Sequence, residues 1–102
     1  MRQARVRILW LLHSQGGRIQ PPSGPVYAGV ARFWQATGEI QSLWSVVLEF
    51  EPSDAQDYEV VAYARFLMPK GPEDLLVPNQ LFEVLEGKRV VAKGVVLEIH
   101  AQ

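Results

Sequence analysis

Cysteine is absent from this 102-residue chain, which excludes disulfides and thiolate metal sites and leaves the 48% apolar residues to hold a fold together. That composition suits a reducing, cytoplasmic setting. Net charge is equally scant. Ten basic and eleven acidic side chains leave −1, so no global field draws the chain to nucleic acid or to an anionic membrane, and any such binding needs a local patch. Long apolar runs are missing too: the stretch ILWLL, Ile8 to Leu12, is shorter than the roughly seven to fifteen residues of a secretory core. Nothing approaches the about 20 residues that span a bilayer, so no membrane partner is expected. Internal repeats and low-complexity tracts are absent, and the length fits one domain, residues 1–102.

What is present is alternation. In WSVVLEFE, Trp44, Val46, Leu48 and Phe50 alternate with Ser45, Val47, Glu49 and Glu51, the period of a half-buried strand. The same reading covers residues 4–12, 26–34, 58–67, 81–85 and 89–99, which predicts six strands, rich in Val, Tyr, Phe and Trp and separated by Gly, Pro, Ser or Asp. Helical spacing is everywhere interrupted, so little helix is expected. Short strands at short spacing leave no room for crossover helices and predict an antiparallel sandwich or a closed barrel. Glu86-Gly87-Lys88 reads as a tight hairpin with Gly87 at positive φ. An unbroken register would put Lys93 in one row with Val91, Val95, Leu97 and Ile99, and a bulge or sharp bend at Gly94, of the kind that turns strands around barrel corners, is expected to relieve that conflict and favours the barrel over the sandwich. The segment from Met68 to Gln80 holds three prolines and reads as a surface loop, with Leu75, Leu76 and Val77 available to cover apolar surface.

The stretch SQGGRIQPPSGP, residues 14–25, tests for a phosphate cradle. Neither GxxxxGK[ST] nor GxGxxG spacing occurs, and Pro21, Pro22 and Pro25 remove backbone donors where a cradle needs them, so it reads as a turn. His13 and His100 fall at the ends of the first and last strands, which a closed barrel could bring together, but no third ligand is spaced for zinc. Ser14, Ser23, Ser42, Ser45 and Ser53 lack a GxSxG context, so a small hydrolase ranks last among the alternatives. Glu49, Glu51, Asp54, Asp57 and Glu59 lack the spacing of a calcium loop and read as a solvated face. No enzyme, metal or cofactor is expected.

The residues themselves resemble one family. ILWLLHSQGGRIQP looks like the opening of the third, C-terminal domain of elongation factor Tu, with Gly16-Gly17-Arg18 and then Pro21. RFWQATGEI resembles that family's second strand and Thr-Gly turn through Arg32, Thr37, Gly38 and Ile40, and LFEVLEGKRVVAKGVVLEI resembles its closing hairpin at Phe82, Glu86, Gly87, Arg89, Val91, Gly94, Val95 and Val96. The middle, residues 41–79, does not match. The resemblance implies a six-stranded antiparallel Greek-key barrel without the GTPase domain, hence a translation-related module that binds no GTP by itself.

It also implies where a partner binds. In the family this barrel meets the T stem of tRNA at turns that map to Thr37, Glu86 and Gly87, while two further positions of that footprint are Ala28 and Met68 here. The expected function is a non-catalytic binding module acting through a protein or RNA partner, with Arg18, Thr37, Glu86, Gly87, Lys88 and Arg89 as contact residues and Lys70 as a further phosphate contact. Binding of RNA or tRNA is expected to be weak and salt-sensitive. Leu9 and Leu11 would sit on the outer side of the first strand, opposite Val6, Ile8, Trp10 and Leu12, and call either for cover by the proline-rich loop or for an apolar interface with a protein partner or a second copy in a homodimer.

Overall fold

The structure is a computed structural model that describes residues 3–22, 25–34, 41–50, 58–68 and 76–100, with only the backbone of Gln41, Ser42 and His100. Its strands are β1 (Gln3–Trp10), β2 (Val26–Trp34), β3 (Gln41–Phe50), β4 (Glu59–Phe66), β5 (Leu81–Glu86) and β6 (Arg89–His100). They close in the order β1-β4-β3-β2-β5-β6, every neighbouring pair antiparallel. Because β4 returns to lie beside β1, the first four strands form a Greek key. The protein is thus an all-β, six-stranded antiparallel Greek-key barrel. Among the described residues the sole helical segment is a 3-10 turn at His13–Gln15, and no helix is long and apolar enough to cross a membrane.

Alternation in the sequence becomes inside and outside. In β1, Ala4, Val6, Ile8 and Trp10 are buried, while Arg5, Arg7 and Leu9 are exposed. Aromatic rings fill both halves of the interior. One series runs Trp44, Phe66, Phe33, Phe82 with centroids 5.9, 5.7 and 5.3 Å apart. The other joins Phe50 to Trp10 at 6.2 Å and Trp10 edge-on to Tyr27 at 5.2 Å. Outside, cross-strand ion pairs tie neighbours: Arg5 to Glu98, Arg32 to Glu83 and Arg65 to Glu49.

The bulge expected at Gly94 is not there: the register runs through it unshifted on both sides. The irregularities of β6 fall instead beside Val91, where pairing passes from Val84↔Ala92 to Leu85↔Val90, and beside Leu97, where it passes from Arg5↔Glu98 to Val6↔Val96. Each extra residue reverses the parity of the strand. Ala92 and Val96 therefore point inward, Lys93 points out, and Ile99 packs against the core. Gly94 has a different task. It sits opposite Phe82, and a Cβ there would lie 2.6 and 2.8 Å from two ring carbons and closer still to Cζ. The glycine makes room for the ring.

The proline-rich loop also departs from expectation. Its residues 69–75, including Lys70 and Leu75, lie outside the described residues, but Leu76 is buried in the core and not laid over Leu9. Asn79, at φ 70°, and Gln80 then bind β6 through Asn79 N–H to Val96 O (2.8 Å) and Val96 N–H to Gln80 O (2.9 Å). The two histidines are not neighbours. Since β1 and β6 run antiparallel, with Gln3 opposite His100 and Trp10 opposite Ala92, His13 and His100 fall at opposite ends of the barrel.

Candidate functional site

One end of the barrel gathers the close of β1 and β3, the start of β2 and β4, and the β5–β6 hairpin. Trp10 N–H reaches Tyr58 O at 2.7 Å and Phe50 N–H reaches Pro25 O at 2.7 Å, which fastens this end. The chain leaves β1 through the 3-10 turn, closed by Gly16 at φ 93°. Gly17 follows with its α-carbon so close to the Leu11 carbonyl that a Cβ would lie 2.6 Å from Leu11 C and 2.9 Å from Leu12 O. Both glycines are therefore demanded by the backbone, the first by its dihedral and the second by packing. They aim Arg18 at the hairpin.

There Arg18 forms an ion pair with Glu86, 68 residues further along the chain. The Tyr27 hydroxyl donates to the same carboxylate oxygen at 2.6 Å, and Arg89 stands 3.8 Å from the other. The Arg18 guanidinium also lies over the Tyr27 ring, 5.5 Å from its centroid, and its Nε donates to Gln20 O at 3.2 Å. Partial burial by itself would raise the Glu86 carboxyl. The hydrogen bonds from Tyr27 and Arg18 and the charges of Arg18 and Arg89 outweigh it and hold the group below the usual carboxylate range. Tyr27 moves the other way: burial first, then its bond to Glu86 and the carboxylate's charge, push the phenol well above its ordinary value, against the opposing influence of Arg18.

Around these groups lies a shallow recess of about 410 Å³ lined by Arg18, Ile19, Gln20, Glu86 and Arg89. Arg18 and Arg89 outnumber Glu86 in this lining, so the rim is cationic. Gly87 turns the hairpin at φ 65°, with open space around it. The arrangement can receive an anionic or hydrogen-bonding surface against a rigid base, because Tyr27 links the polar cluster to Trp10 in the core.

No protein-family model matches the chain, and no curated protein matches its sequence. The elongation factor Tu resemblance therefore rests on the residues quoted above.

The expected contact residues divide. Arg18, Glu86, Gly87, Lys88 and Arg89 come together at this end. Thr37 lies outside the described residues. The flanking residues Trp34 and Gln41 pair with each other at the far end of β2, four residues or roughly 13 Å of strand beyond the Val30↔Leu85 pair beside the hairpin. Leu9 and Leu11 part as well. Leu9 is 47% exposed on the outer sheet face, whereas Leu11 is half-buried beyond the end of β1, bound through its N–H to Val91 O at 2.9 Å. Of the acidic face, Glu49 pairs with Arg65 at 3.4 Å and Glu59 stands 3.9 Å from Arg7, while residues 51–57 lie outside the described residues. Among the described residues no cluster of His, Asp and Glu could hold a metal ion. Tyr27 was not singled out from the sequence, where it reads as one more strand aromatic.

Proposed function

We propose that the chain is a non-catalytic binding module of the reducing cytosol, related to the C-terminal barrel of elongation factor Tu, and that its partner docks on the Arg18–Glu86–Arg89 end. The observation that supports this reading is the direct pairing of Arg18 with Glu86. Gly-Gly-Arg and Glu-Gly are two of the motifs that carry the family resemblance, and they share one ion pair and one recess. A protein partner is the leading reading, because Arg18 and Tyr27 hold the Glu86 carboxylate, a hydrogen-bond acceptor, in fixed geometry at the foot of a cationic recess. The discriminating experiment compares wild type with the Arg18→Glu, Arg89→Glu double variant as baits in native cytosol. A protein retained by the wild type and lost from the folded variant fits the reading; an identical set retained by both counts against it.

RNA is the second reading, and a specific feature favours it: Arg18 is occupied by Glu86, leaving Lys88 and Arg89 exposed at the hairpin tip to meet phosphates. Two such contacts give a slope of log K against log salt of about −1.4 to −1.8. A fluorescently labelled RNA duplex titrated at low ionic strength with no change in anisotropy removes this reading. The module is proposed to bind no GTP, and calorimetry at micromolar concentrations checks that directly.

A further inference from the structure

We propose that the outer face of β1, β6 and β5 is a docking groove for a short, extended segment of a partner protein that carries apolar side chains flanked by carboxylates. Two recesses of about 210 and 190 Å³ share Leu81, Lys93 and Gly94. The first is bounded by Arg7, Leu9 and Val95, and the second reaches Trp34 and Glu83. Together they form one trough across the strands. Its floor is apolar and open to water, with Leu81 60% exposed, so a ligand gains by covering it.

The charges on this floor specify the occupant. Lys93 stands in the middle because the bulge beside Val91 turns it outward. Its direct cross-strand neighbours are Leu9 and Glu83, and Glu83 is already committed: its Oε1 accepts Arg32 Nη2 at 2.6 Å and Nε at 3.0 Å. Among the described residues no carboxylate lies within ion-pair distance of Lys93. Arg7, on the other rim, reaches Glu59 only at 3.9 Å, too long for a hydrogen bond. An apolar floor with Lys93 unpaired among the described residues, and with Arg7 held only by a long ion pair, complements an acidic and apolar ligand.

Two other occupants fit less well. A second copy in a two-fold dimer would set Lys93 and Arg7 against Lys93 and Arg7, a like-charge contact at the centre of the interface. An RNA strand would want aromatic faces for its bases, whereas Trp34 is half-buried and has Arg32 stacked over it at 5.6 Å. The closed barrel offers no edge for strand addition, so the segment must lie across the strands and address them with side chains. Three strand spacings from β1 to β2 make about 14 Å, the reach of four or five extended residues.

The test is a nitrogen-15 NMR titration of the whole chain with the synthetic peptide acetyl-Asp-Leu-Glu-Leu-Asp-amide and, separately, acetyl-Lys-Leu-Lys-Leu-Lys-amide. The acidic peptide should shift the amides of Leu9, Leu81, Lys93 and Val95 in a saturable way, and the basic one should not. Lys93→Glu should weaken binding by roughly tenfold or more and Lys93→Arg should retain it, with the rest of the spectrum reporting an intact barrel. Arg18→Glu, which disturbs the loop end, should leave this titration unchanged, so the groove and the loop-end site stand or fall separately. The proposal is overturned if the groove amides do not respond, if both peptides act alike, if Lys93→Glu binds as tightly as wild type, if an RNA duplex alone shifts these amides, or if sedimentation shows a dimer that Lys93→Glu changes.

Discussion

Replacing Gly94 with alanine should destabilise the barrel through one ring. The added Cβ would stand 2.6 and 2.8 Å from two carbons of Phe82, against the 3.5–4.0 Å of a comfortable carbon contact, so the ring must retreat by roughly an ångström. It has nowhere to go. Phe82 is 3% exposed, and the Phe33 ring, itself backed by Phe66, lies 5.3 Å away. Overpacking of this kind costs about 1–3 kcal/mol, and for a domain of this size each kcal/mol lowers Tm by about 4–8 °C. The assay is urea and thermal unfolding followed by tryptophan fluorescence and far-ultraviolet circular dichroism, for Gly94→Ala alone and in a Phe82→Leu background. Leucine carries fewer atoms into the same place, so the second alanine substitution should cost at least about 1 kcal/mol less than the first. An unchanged Tm for Gly94→Ala, or an equal loss in both backgrounds, would refute the argument and point back to a backbone role for the glycine.

Three further outcomes are expected. Glu86 titrates below its unfolded value, so its contribution is complete above about pH 4.3 and lost as pH falls through the folded value; Tyr27 titrates above its unfolded value, so its contribution is complete below about pH 10 and lost on further alkalisation. Glu86→Gln should therefore flatten the acid limb of a stability–pH profile and Tyr27→Phe the alkaline limb, and unaltered limbs would show that the cluster does not couple to folding. Gly87→Ala and Asn79→Val, each placing a β-carbon or β-branch at positive φ, should each cost about 1–2 kcal/mol in chemical unfolding, whereas Asn79→Gly should be nearly neutral. Leu76→Ala should cost about 2–5 kcal/mol, a large loss for a loop position, because this side chain is part of the core; a surface-like loss below about 0.5 kcal/mol would contradict its burial.

The strands were legible because a half-buried strand writes its two faces into alternate residues, and β1, β2 and β4 show that period almost without fault. Lys93 was legible as a conflict and not as a solution: the apolar row it interrupts signals a change of parity, but a bulge needs no glycine, and Val91 and Leu97 carry no local mark of one. Gly94 was the visible candidate, and its reason lies across the sheet in Phe82. The histidines mark strand ends, which left their distance open, and the antiparallel sense of β1 and β6 puts them at opposite ends. Arg18, Glu86 and Arg89 could each be named from the resemblance, whereas their contact joins residues 68 apart and arises only from barrel closure. Tyr27 and Leu81 carried no signal of their own, since a tyrosine beginning a strand and an outward leucine are ordinary residues until their neighbours are known.

The strand order also sets a timetable for synthesis. β1 is paired on one side by β4 and on the other by β6, and roughly 80 residues lie between Trp10 and Arg89. At about 5–20 residues per second, a ribosome needs on the order of 4 to 16 s to make them. Throughout that interval the nascent β1 keeps at least one open edge, with the apolar side chains of Val6, Ile8 and Trp10 awaiting a complete interior. The finished barrel has no edge to offer a neighbour, yet its unfinished form does, so the hazard of wrong pairing belongs to the growing chain and ends with the arrival of the sixth strand.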